Sequence, residues 1–182
     1  MSLSPREVHS IDDVLEAALR LLSYRPRSEA EVRRGLSRRF SPSLVEEAIA
    51  RLTDMGLLDD AAFARFWRQN REQHRPRSAF AMKWELLRRG VSREVAAEAL
   101  AGLDEEENAY GAARRMLHKL GQVDYDTFRK RVVTYLRRRG FGGEAIGRTV
   151  RRLWVELSDP AYGYIKGNAQ DEQPEDVGQD KD

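Results

Sequence analysis

Arginine is the residue type in this 182-residue chain whose spacing carries chemistry. Arg25 and Arg27 flank a proline ahead of Ser28, and Arg75 and Arg77 do the same ahead of Ser78, fifty positions later. Arg38, Arg88 and Arg138 recur at that interval, each two residues beyond a leucine (Leu36, Leu86, Leu136). A guanidinium is planar and permanently charged, with donors set in a rigid fork, so it suits phosphate or carboxylate oxygens. On a helix that turns ~100° per residue, a position two beyond a core leucine lies about 200° around the axis. Arg38, Arg88 and Arg138 are therefore expected to face outward and to bind an external anion. Arg39, Arg89 and Arg139 fall nearer the core edge, within reach of the last carbonyls of the same helix. Arg25, Arg27, Arg75 and Arg77 add positive charge at the turns that precede these helices.

Local signatures of catalysis are not legible, and the chain is expected to be no enzyme. It has five lysines, none behind a glycine-rich phosphate loop; the nearest approach, Gly140-Phe141-Gly142-Gly143, reads as a turn between helices. His9, His74 and His118 lie in three different elements with no second histidine one turn away, so no metal and no cofactor is expected. The run Asp104-Glu105-Glu106-Glu107 diverges around a helix axis and reads as a solvated helix start, and Asp59-Asp60 as a capping pair. Trp67, Trp84 and Trp154 lie on helical stripes among apolar residues; core packing is expected of them ahead of base stacking.

The elements that must position the arginines are helices in three copies, since self-similarity at a fixed period marks a repeat architecture. The first helix of each copy carries Val14, Leu15, Ala18, Leu19 and Leu22, then Phe63, Phe66 and Trp67, then Ala109, Ala112, Ala113, Met116, Leu117 and Leu120. The second opens in copy one with a capping box, Ser28-x-x-Glu31, and carries an apolar pair one turn apart: Val32/Leu36, Met82/Leu86, Val132/Leu136. The third begins after Ser41-Pro42, after Gly90-Val91-Ser92 and after Gly140-Phe141-Gly142, where the glycines at 90 and 140 suit a left-handed helix end. No window alternates apolar and polar residues. The expected fold is all-α: three tandem three-helix repeats in an elongated array, over 14–60, 61–108 and 109–157, after an N-terminal extension at 1–13. A unit of about 50 residues is marginal alone, so neighbours must share contacts.

Charge is unevenly placed. Residues 158–182 hold seven acids against two lysines, a net −5 that leaves +7 on residues 1–157; this acidic tail has too little apolar content to fold and is expected to be disordered. There is no cysteine, no apolar run near the ~20 residues that span a bilayer, and no secretory h-region in residues 1–13, so a cytoplasmic monomer is expected.

The turn Arg25-Pro26-Arg27-Ser28-Glu29, followed by Val32 and Leu36, then Leu52, Met55-Gly56-Leu57-Leu58-Asp59-Asp60, Phe63-Ala64 and Glu85-Leu86 with Gly90-Val91, strongly resembles the RecX family of bacterial regulatory proteins. The resemblance spans roughly residues 14 to 157. It departs in the third copy, where Gly121-Gln122-Val123-Asp124 replaces the Arg-Pro-Arg-Ser turn. It implies a negative regulator of RecA that acts in DNA repair and the SOS response. Such a protein binds the RecA–single-stranded DNA filament and inhibits its extension, ATP hydrolysis, strand exchange and co-protease activity. The rival reading is a stand-alone helical-repeat protein that binds single- or double-stranded DNA phosphates without contacting RecA.

Overall fold

The computed structural model describes residues 10–118, 120–121 and 123–158. These form α1 (Ile11–Tyr24), α2 (Glu29–Leu36), α3 (Pro42–Asp54), α4 (Asp60–His74), α5 (Ala79–Leu87), α6 (Arg93–Leu100), α7 (Glu105–Leu117), α8 (Tyr125–Arg137) and α9 (Gly143–Ser158). No strand occurs among the described residues, and none of their helices is long and apolar enough to cross a membrane. The acidic tail expected to be disordered lies outside the described residues from position 159 onward.

Local chemistry accounts for where the helices begin. Ser28 accepts from the Glu31 N–H while the Glu31 carboxylate returns to the Ser28 N–H, a closed capping box; Ser10 and Asp13 make the same arrangement ahead of α1. Pro42 opens α3, Asp59 accepts from the N–H groups of Ala61 and Ala62, Ser78 and Ser92 cap α5 and α6, and Asp104 caps α7.

Helices α1–α3, α4–α6 and α7–α9 form three units, in each of which all three helices pack on one another, whereas helices of different units do not pack along their lengths. Each unit has its own core: Val14, Val32, Leu36 and Leu52 in the first; Phe63, Met82 and Leu86 in the second; Phe128, Val132, Leu136 and Leu153 in the third. The recurrent leucines are the pivots, with Leu36, Leu86 and Leu136 buried to 1 % or less exposure. Replacing any of them by alanine should cost about 2–5 kcal/mol. The units thus follow one another in an open row with no shared core.

Several stripe residues are not core. Leu19 and Phe66 are partly exposed, and Trp84, expected in the interior, is 54 % exposed beside a 68 % exposed Phe80. The reason is that α5 is apolar on two sides: Met82 and Leu86 face inward and leave no room for Phe80 and Trp84, which project from the opposite face.

Candidate binding surface and the joints between units

Two joints built on one plan hold the row together. At the first, the buried Ser28 hydroxyl, besides capping its own helix, donates to the Arg89 carbonyl at 2.6 Å, and the Glu29 N–H donates to the Asp60 carboxylate at 2.9 Å. Gly90, at φ +88°, passes so close that a β-carbon there would lie 2.2 Å from the Ala30 β-carbon. At the second, fifty residues on, the Ser78 N–H donates to the Arg139 carbonyl at 3.2 Å, and the Ala79 N–H donates to the Glu105 carboxylate at 2.6 Å. Gly140, also at φ +88°, leaves only 2.6 Å between a would-be β-carbon and the Ser78 hydroxyl. Asn108, buried, adds a bond from its side-chain amide to the Arg77 carbonyl at 2.7 Å, and Arg115 reaches the Gln73 carbonyl.

The joints use acids that sequence reading had taken as helix starts. Asp59 and Asp104 are the caps, while Asp60 and Glu105, the next residues in chain order, cross to the neighbouring unit. Burial pushes both the Asp60 and the Glu105 carboxyl above their ordinary range, each partly offset by the backbone N–H it accepts. Glu106 and Glu107 are not simply solvated either: they pair with Arg148 and Arg152 of α9. Glu31 behaves in the other sense. Burial works to raise its carboxyl, but the Arg25 hydrogen bonds and charge, the Ser28 N–H and the Arg89 charge outweigh that and hold it below the usual range.

The structure sorts the seven arginines singled out by spacing into two groups. Arg25 forks onto both Glu31 oxygens at 3.0 Å, and Arg27 donates through Nε to the Leu21 carbonyl at 2.8 Å. Arg77 pairs with Glu85 at 3.1 Å, a carboxylate that also receives Arg71 at 2.7 Å and the Trp67 indole N–H at 2.8 Å. These three brace the turns. Arg38, Arg75, Arg88 and Arg138 are exposed, and their side chains make no hydrogen bond or ion pair among the described residues. Arg88 and Arg138 sit at the C-terminal ends of α5 and α8, where a cation faces the negative pole of the helix and an external anion can still approach it.

Around Arg138 the surface is concave. Lys130, Arg131 and Arg139 share with it an open groove of about 720 Å³ along α8, floored by Met116 and Leu120, and no carboxylate among the described residues lines it. Arg139 lies 3.8 Å above the Tyr135 ring, and Arg89 takes the equivalent core-edge position over Trp67 at 3.7 Å while donating to the Glu85 carbonyl. No group of three or more His, Asp or Glu among the described residues could hold a metal ion. What the arrangement presents is exposed guanidinium groups with no carboxylate partner among the described residues, a chemistry suited to anions.

Sequence reasoning missed the joints and the exposed aromatic pair. The pair did carry a signal: the positions that match Phe80 and Trp84 at the period are Ala30 and Arg34 in unit one and Lys130 and Thr134 in unit three, so copy two alone places rings there.

Residues 15–52 match the first three-helix domain of RecX and residues 59–100 the second. The chain is 36 % identical over 130 residues to the regulatory protein RecX of Amycolatopsis mediterranei, covering 69 % of this chain and 74 % of that one. It is 33 % identical over 145 residues to that of Chlorobaculum tepidum, covering 79 % and 90 %. Against that of Mycobacterium avium it is 40 % identical over 129 residues, covering 68 % and 74 %. The crystal structure of RecX from Lactobacillus salivarius superposes with a TM-score of 0.67 over 80 % of this chain and 97 % of that one at 22 % identity, a likeness of fold. Three-helix units of this order, matched in sequence across most of a relative's length, place the chain in the RecX family of regulatory proteins.

Proposed function

We propose that this protein regulates RecA negatively, by lying along the RecA–single-stranded DNA filament and limiting its extension, and with it ATP hydrolysis, strand exchange and co-protease activity. The observation that carries the reading is the trio Arg38, Arg88 and Arg138, exposed and unpaired among the described residues, one per unit at a fifty-residue period. A row of small rigid units can meet successive sites on a polymer, and modest contacts repeated on one rigid body add to high affinity. Membership of the RecX family supports the same partner.

The test is ATP hydrolysis by RecA from the same organism on single-stranded DNA, titrated with this protein. Inhibition is expected well below one molecule per RecA protomer. Replacing the trio together, R38E/R88E/R138E, should weaken inhibition by on the order of 100-fold, since three lost charge contacts near 1 kcal/mol each sum to that factor. Stability should fall only modestly, by about 0.3–1 kcal/mol for each charge reversed at a helix C-terminus, as these side chains make no hydrogen bond or ion pair among the described residues. Full inhibition by the triple variant would remove the trio from the interface.

A second reading, direct DNA binding without RecA, is favoured by the basic groove along α8, which no carboxylate among the described residues lines. It requires affinity whose logarithm falls with log salt by about 0.7 per phosphate on single strands or about 0.9 on duplex, together with no effect on RecA.

A further inference from the structure

We propose that Phe80, Trp84 and Arg88, on successive turns of the outer face of α5, form a stacking platform for the bases of single-stranded nucleic acid. Phe80 and Trp84 are 68 % and 54 % exposed, and Arg88 ends the same face with no partner among the described residues. Two large rings left in water on a helix that already buries Met82 and Leu86 mark a binding surface.

The chemistry of the surroundings selects the occupant. The acid of α5, Glu85, is turned away and held by Trp67, Arg71 and Arg77, so α5 itself puts no carboxylate on its outer face; Lys83 beside Trp84 is also basic, and its charge acts on Glu94 of α6. At the matching positions the flanking units carry Arg34 with Arg38, and Lys130 with Arg138. The rings are thus an aromatic island within a cationic pattern. An apolar anchor of a protein partner sits in a ring of contacts that excludes water, whereas interleaved rings and cations are what single-strand binders use, one for base faces and the other for the backbone.

Ring geometry separates single strand from duplex. The centroids of Phe80 and Trp84 are 6.3 Å apart with planes inclined at 74°. Neighbouring bases in a duplex are parallel, so they cannot lie flat on both rings, while the splayed bases of a single strand can.

The inference concerns nucleic acid directly and deepens the filament reading by naming which unit would touch the strand. Its experiment omits RecA, so its failure is distinct from failure of that reading. The full chain is titrated at low salt with labelled oligo-dT, following anisotropy and tryptophan fluorescence. The parent should bind with quenching. W84F should bind nearly as well yet lose that quenching, and W84A should bind about 5- to 150-fold more weakly with unchanged helicity and melting. F80A should weaken binding in the same direction, and a duplex of the same length should not distinguish W84A from the parent. Equal affinity of W84A and the parent for oligo-dT overturns the proposal, as does absence of oligo-dT binding by the parent.

Discussion

The joints between units and the outer faces of α2, α5 and α8 are both rich in arginine at one period, yet they use it in opposite ways. At the joints the arginines and carbonyls are paired within the protein: Arg25 by Glu31, Arg77 by Glu85, the Arg89 and Arg139 carbonyls by Ser28 and Ser78. On the outer faces Arg38, Arg88 and Arg138 have no partner among the described residues. The lesson is that periodicity alone does not separate scaffold from site. A repeat protein must repeat its joints as faithfully as its ligand contacts, and hydrogen-bond bookkeeping tells the two apart.

The comparison also explains why the third copy lacks the Arg-Pro-Arg-Ser turn. Ser28 and Ser78 are buried because the next unit sits on them. Among the described residues no other unit packs on the corresponding turn of the third copy. There α8 begins with an exposed Asp124 cap and runs 13 residues against 8 in α2 and 9 in α5.

The sharpest way to break the comparison is to put a side chain into a joint. Gly90→Ala should be the most damaging, with ~1–2 kcal/mol of left-handed backbone strain and ~1–3 kcal/mol of overpacking against Ala30. The control is Gly56→Ala, at φ +69° with no atom within 4 Å of the added β-carbon, which carries the strain alone. Chemical denaturation should therefore show the larger loss for Gly90→Ala. Equal losses would mean that the units do not close on each other in solution.

Next in size is Ser28→Ala, compared with Ser92→Ala. Both remove a cap worth ~1 kcal/mol. Only the first also strips the Arg89 carbonyl of its partner at a buried position, adding ~1 kcal/mol or more. A stability difference between the two variants measures the joint, and equal values would assign Ser28 to capping alone.

Much of the fold was legible because its signals are local. The capping box at Ser28, the pairs Val32/Leu36, Met82/Leu86 and Val132/Leu136, and glycines at left-handed positions 90 and 140 act within one or two turns. The joints were not legible, since the Ser28–Arg89 bond spans 61 residues and nothing in either neighbourhood names the other. For the same reason Arg25 and Arg77 looked like ligand contacts: their partners Glu31 and Glu85 became visible only with the turn folded around them. Trp84 misled differently, as a stripe shows that a helix has an apolar face without excluding a second.

The smallest effect distinguishes one joint from the other through pH. Glu31 has its counterpart in Ala81, so the first joint holds a carboxylate stabilised by Arg25 and Arg89 that the second lacks. Its folded pKa lies below the unfolded value of about 4.3. The stability it contributes is therefore complete above that unfolded value and disappears as pH falls through the lower, folded one. Glu105 in the second joint is raised by burial, with one oxygen lacking a hydrogen-bond partner, so it penalises folding as pH rises through the unfolded value and on past the folded one. Asp60, also raised, sets a similar penalty in the first joint against the Glu31 gain. Glu31→Gln should lower stability at neutral pH by a few tenths to about 1 kcal/mol and leave it nearly unchanged in strong acid. Glu105→Gln, which keeps an acceptor for the Ala79 N–H, should do the reverse, raising stability at neutral pH and leaving the acid limb alone. Thermal melts of both variants across that range decide the matter. The same sign for both would mean that the two joints, alike in backbone plan, are also alike in electrostatics.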